Sequence, residues 1–159
     1  MQQKPLKTIP FTTQKYKEMQ LKVVELEEER EEVMQRLIEA RAMGDLSENG
    51  AYKYAKFELG NINRQLKRFK GLLAQGFPAP KNTGVTGSID FGSTVTIQNM
   101  QTKKIKSFMI VSGHESDPAL GKIAYSSPMG KALMRKKVGD EVIVKTPSGD
   151  MKISIIKIA

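Results

Sequence analysis

Gly44-Asp45-Leu46-Ser47-Glu48-Asn49 is the stretch on which the fold turns, because an apolar heptad seam runs into it from each side. Upstream, steps of four and three pass through Met19, Val23, Leu26, Arg30, Val33, Leu37 and Ala40. Only Arg30 breaks that series, and its long stem can lie along the seam with the guanidinium in water. Downstream, steps of three and four pass through Tyr52, Ala55, Leu59, Ile62, Leu66, Phe69 and Leu73, none of them charged. Two matched seams joined by a few residues predict an antiparallel coiled-coil hairpin. Its first helix should begin near Thr12 or Thr13, either of which can cap it, after Ile9-Pro10-Phe11. Residues 13–43 then span about 45 Å at ~1.5 Å per residue. Gly60 and Gly71 weaken the second helix by roughly 1 kcal/mol each against alanine, which the seam overrides.

The hairpin places two carboxylates at its tip, where a core needs none. Two readings of them stand. Asp45, followed three residues later by Glu48, is a capping-box-like pair for the second helix, and a carboxylate favours the positive helix end. Ser47 can cap instead, which leaves Asp45 free. The other reading is chemical: two carboxylates within one turn can offer oxygens to a single hard cation. Magnesium takes one or two protein carboxylates and fills its shell with water and phosphate oxygens. Such a pair on a thin rod makes a weak site by itself and a good one when delivered to another protein's phosphate-bearing centre.

The outer faces of the hairpin are charged. Glu25, Glu27, Glu28, Glu29, Glu31 and Glu32 lie on the first helix, and Arg64, Lys67, Arg68 and Lys70 on the second. These groups serve either for pairing between the helices and solubility, or, for Arg64, Lys67 and Arg68 on one face, as a basic strip toward phosphates.

Residues 75–88 are rich in glycine, proline and polar side chains and read as a linker. The division expected is a hairpin over 1–76, a linker over 77–88 and a second domain over 89–159. That domain turns to short strands: Ser93–Gln98, Lys104–Val111, Lys122–Ala124, Glu141–Lys145 and Met151–Ile158. Thr146-Pro147-Ser148-Gly149-Asp150 turns between the last two. Pro128–Leu133 is a short helix with Ser126 or Ser127 as its cap. A small antiparallel sheet with one helix results, an α+β chain overall. His114, the only histidine, sits among acids in Ser112-Gly113-His114-Glu115-Ser116-Asp117 and reads as a solvated loop residue. Met19, Met34, Met43 and Met109 read as core or seam filler.

The chain of 159 residues carries a net charge of +9. Residues 1–80 hold 14 Lys and Arg against 11 Asp and Glu, and residues 81–159 hold 12 against 6. That balance suits a polyanionic partner such as nucleic acid, or simply a basic soluble protein. There is no cysteine, hence no disulfide and no thiolate metal site. No apolar run approaches the roughly 18 residues of a membrane span, and Met1-Gln2-Gln3-Lys4-Pro5 lacks a signal-peptide core. A cytoplasmic protein without membrane attachment is expected.

Several segments, in order, carry a resemblance. Ala40-Arg41-Ala42-Met43-Gly44-Asp45-Leu46-Ser47-Glu48-Asn49 resembles the coiled-coil tip of the bacterial GreA/GreB transcript-cleavage factors, and Ile9-Pro10-Phe11-Thr12 the start of their first helix. Phe91-Gly92-Ser93-Thr94-Val95-Thr96-Ile97 resembles the opening strand of their C-terminal domain, and Ser127-Pro128-Met129-Gly130-Lys131-Ala132-Leu133 its short helix. Val138-Gly139-Asp140-Glu141-Val142 and Lys145-Thr146-Pro147-Ser148-Gly149-Asp150 resemble its closing hairpin. The resemblance implies an FKBP-like C-terminal domain that docks at the rim of RNA polymerase's secondary channel, through Ser126, Ser127, Pro128 and Met129. The coiled coil then reaches toward the polymerase active site and the 3′ end of backtracked nascent RNA. By the same resemblance, Asp45 and Glu48 are expected to help hold the polymerase's second magnesium ion and a water, while the polymerase hydrolyses the RNA. The resemblance further implies a monomer that is not itself an enzyme and binds no cofactor stably alone.

This chain departs from the family in three places. After the tip it reads Glu48-Asn49-Gly50-Ala51-Tyr52, without the third acid that relatives carry. Ser126 replaces their Asp or Asn, and Arg135 stands at a common glycine. The basic balance resembles GreB more than GreA. A channel-binding factor that regulates polymerase without promoting cleavage is the alternative. A folding helper with prolyl-isomerase activity ranks below both, since Phe91, Phe108 and Tyr125 are few aromatics for an isomerase pocket.

Overall fold

A computed structural model describes residues 6–44, 48–80 and 87–159. It divides into two compact units, one built on Tyr16–Gly76 and the other on Thr8–Lys15 with Phe77–Ala159.

The helical unit is the expected hairpin. Helix α1 runs Thr13–Ala42 and α2 runs Gly50–Gln75. Met19, Leu26, Val33 and Ala40 are buried along α1, and Ala55, Ile62 and Leu66 along α2. Val23, Leu37, Leu59 and Phe69 pack on the same seam, partly buried. Each buried residue is a heptad position of the two series, so period 3.5 decides which face turns inward. Antiparallel order shows in the cross-pairs: Lys70 Nζ lies 2.5 Å from Glu27, Arg30 Nε donates to Asn63 Oδ1 at 3.1 Å, and Arg36 pairs with Glu58 at 3.0 Å. The Glu58 hydrogen bond raises the Arg36 pKa. Met43 is no seam filler; it is exposed, because α1 has ended one residue earlier.

The second unit holds two sheets. Strand β1 (Ile9–Thr12) pairs with β2 (Gly76–Ala79) in a two-stranded ladder. Both segments read from sequence as a helix lead-in and a linker. Strands β3 (Thr94–Asn99), β4 (Ile105–Val111), β5 (Lys122–Ala124), β6 (Glu141–Thr146) and β7 (Gly149–Ile158) form a five-stranded sheet in the order β5-β4-β3-β7-β6. Neighbours run antiparallel except β4 and β5, which are parallel. One extra residue on β7, Ile156, is bulged where Thr96 and Ile97 meet Lys157 and Ile155. Such a bulge shifts the inward–outward alternation by one position and curls the sheet. Ile153 and Ile155 are thereby buried before it, and Ile158 packs on the core after it.

Helix α3 (Pro128–Leu133) lies against the sheet, with Leu133 buried and Met129 and Ala132 packed on the core. Its cap is Ser127: the hydroxyl accepts from Gly130 N at 3.0 Å and donates to Ala124 O at 2.7 Å. Pro128 occupies the first turn, where its missing N–H costs nothing. Helix and strand approach so closely that only glycine fits at 130; a Cβ there would lie 2.0 Å from Ala124 O.

Candidate functional site

At the base of the hairpin tip, Asn49 bridges the ends of the two helices. Helix α1 leaves its last carbonyls without helical partners, and α2 leaves its first N–H groups so. Asn49 meets both needs: Oδ1 accepts from Tyr52 N at 3.0 Å, and Nδ2 donates to Ala40 O at 2.6 Å. The cap of α2 is therefore Asn49, with extended φ −76° and ψ 95°. This corrects the capping expected from Asp45 with Glu48, or from Ser47. Asp45, Leu46 and Ser47 lie outside the described residues. Glu48 lies in a turn at the neck, exposed. Among the described residues no group of three or more His, Cys, Asp or Glu is placed to hold a metal ion.

The basic strip lies on the outer face of α2. Arg64, Lys67 and Arg68 are all exposed. Arg64 donates to Asn61 of its own helix, and the Arg68 guanidinium lies 6.0 Å from the Phe69 ring centre. Of the four cations on this helix stretch, Lys70 alone reaches an α1 glutamate among the described residues. Pairing between the helices thus accounts for Lys70 but not for the other three.

In the expected docking quartet the structure separates two tasks. Ser126 and Pro128 are exposed, while Ser127 is committed to capping α3. Met129 faces a groove of about 190 Å³ on the sheet, whose walls include Ile97, Phe108, Met151 and Ile153 with Lys104 and Lys106 at its edge. Ile97, Lys106 and Phe108 share that face because Ile97 pairs with Lys106 and Val95 with Phe108. His114 is exposed, its ring 6.2 Å from that of Phe11. Its neighbour is the surprise of the loop. Glu115 is buried: its oxygens accept from Thr12 N at 3.1 Å and from Thr12 Oγ1 at 2.5 Å, with Lys122 Nζ at 3.6 Å. Thr12 Oγ1 in turn accepts from Lys15 N at 3.2 Å, capping the start of α1. Sequence reasoning missed both Asn49 and Glu115. Asn49 carried a signal, since asparagine caps as well as aspartate, but Asp45 and Ser47 carried the same one. Glu115 carried none.

Comparison with known proteins places this geometry. A family model described as "Transcription elongation factor, N-terminal" matches residues 9–75, and one described as "Transcription elongation factor, GreA/GreB, C-term" matches residues 84–159. Transcription elongation factor GreA of Trichlorobacter lovleyi is 38% identical over 151 residues, covering 94% of this chain and 96% of that protein. GreA of Pelobacter propionicus is 37% identical over 152 residues, covering 95% and 96%. GreA of Thermosipho africanus is 40% identical over 128 residues, covering 80% of each. Among solved structures, the GreA factor homolog Gfh1 of Thermus thermophilus aligns over 95% of this chain and 98% of its own, at 24% identity and a TM-score of 0.43. These relatives bear the name GreA, whereas the charge balance resembled GreB.

Proposed function

The chain belongs to the GreA/GreB family of transcription elongation factors, and from that premise we propose that it enters the secondary channel of bacterial RNA polymerase and stimulates the polymerase's own cleavage of backtracked RNA. The observation that carries this reading is the cap. With Asn49 as the N-cap of α2, the cap is not a carboxylate, and Glu48 is exposed at the neck of the tip. An exposed carboxylate at the end of a thin rod is open to a partner's cation.

Carboxylate oxygens suit a hard divalent ion, so Asp45 and Glu48 would supply ligands to the polymerase's magnesium. Such an ion activates water and steadies the leaving oxygen in phosphodiester hydrolysis. The factor contributes donors, and the remaining groups belong to the polymerase. Arg64, Lys67 and Arg68 offer charge to a phosphate backbone such as the nascent RNA. Ser126 and Pro128, beside the groove faced by Met129, offer a docking surface to the polymerase rim.

Backtracked elongation complexes test this. Asp45→Asn and Glu48→Gln should each abolish most stimulated cleavage while leaving thermal stability unchanged, since neither substitution touches the Asn49 cap. Unchanged cleavage in both variants refutes the proposal. The second reading, occupancy without cleavage, draws support from Gly50-Ala51 standing where relatives carry a third acid. Slowed elongation with no cleavage above the polymerase's own rate selects it.

A further inference from the structure

We propose that Asn49 is a positioning residue for Glu48: its single amide clamps the end of α1 to the start of α2 and so holds the adjoining carboxylate where it can grip an ion. This inference rests on the function proposed above.

The amide is the one small side-chain group suited to the task. Tyr52 N needs an acceptor and Ala40 O needs a donor, and they lie on opposite sides of the hairpin neck. An amide carries both on one rigid plane. The orientation is determined by the partners. A flipped amide would set NH₂ against an N–H and oxygen against a carbonyl. Ala40 O also accepts from Met43 N at 3.2 Å, and Asn49 O accepts from Lys53 N at 3.1 Å, the first helical bond of α2. Asn49 thus ties the end of α1 to the start of α2, and Glu48 is the residue adjoining that tie. The last buried seam positions, Ala40 and Ala55, have no polar side chain with which to do this. Support of this kind for metal ligands from outside the coordination shell is worth roughly 10-fold or more in affinity or activity.

Asn49→Asp and Asn49→Ser separate the clamp from the cap. Both caps serve a helix about as well as asparagine, so α2 keeps its start. Neither side chain can donate to Ala40 O in the manner of the amide: aspartate has no N–H, and serine is shorter. The two differ in charge. The full-length variants are compared with wild type by amide hydrogen exchange at Met43 and Glu48, by displacement of labelled wild-type protein from backtracked complexes, and by the Mg²⁺ dependence of stimulated cleavage. Expected are faster exchange, unchanged displacement and a Mg²⁺ midpoint raised about 10-fold in both variants. A midpoint and exchange equal to wild type overturn the inference. A shift confined to Asn49→Asp also overturns it, since charge alone would then explain the effect. Wild-type protein that displaces label yet stimulates no cleavage refutes the proposed function and the ion-gripping role with it. Wild-type cleavage beside silent variants refutes the clamp alone.

Discussion

Gly130→Ala tests how closely α3 and the sheet are fitted. The added Cβ would sit 2.0 Å from Ala124 O, 2.8 Å from Tyr125 Cα and 2.9 Å from Ala124 C. All three neighbours are backbone, so no side chain can swing aside. Ordinary contact requires a retreat of more than about 1 Å. That retreat is opposed from both sides. Ser127 ties the helix start to the same Ala124 carbonyl at 2.7 Å, and Leu133 is fully buried at the helix end. Overpacking of a well-filled core costs about 1–3 kcal/mol, and the loss of the Ser127 link adds about 1 kcal/mol. The expected destabilisation is therefore about 3 kcal/mol, confined to the sheet unit. Urea titration read through amide exchange of β5 and β6 measures it without interference from the hairpin. A loss below about 1 kcal/mol would refute the reasoning, for it would mean that α3 can slide outward at little cost. Polymerase docking should weaken in parallel, since Ser126 and Met129 flank the displaced turn.

Other perturbations should behave as follows. Gly71→Ala should stabilise the hairpin by about 1 kcal/mol in thermal unfolding, because a Cβ there meets nothing within 4 Å. Glu115→Ala should cost about 1–3 kcal/mol and speed amide exchange at Thr12, whose N–H and hydroxyl both lose their acceptor. Arg135→Gly should stabilise the sheet unit by about 1 kcal/mol in urea unfolding, because Arg135 holds a left-handed φ of 64° that glycine adopts freely.

How far the chain could be read in advance depended on the distance over which each feature is encoded. The hairpin was legible because a heptad seam is local and repeated: Leu26, Val33, Ala55 and Ile62 each announce the same inward face, so errors at one position are outvoted by the rest. The strand alternation of Val95 and Ile97, the helix Pro128–Leu133 and the turn at Pro147-Ser148 were local in the same sense. The tip's cap was local too, yet undecided, because Asp45, Ser47 and Asn49 have nearly equal capping ability. What separated them was the Ala40 carbonyl across the neck, a partner that exists only once the helices have paired. The pairing of Ile9–Thr12 with Gly76–Ala79 and the bond from Thr12 to Glu115, 103 residues away, were invisible for a related reason. Four residues can satisfy their backbone as strand, turn or helix lead-in with similar energies, and a carboxylate is at home in water until a fold brings buried donors to it. Pattern alone therefore determined the rod, its acidic end and the sheet, while tertiary contact decided which side chain caps α2 and which carboxylate is taken out of solvent to bind Thr12.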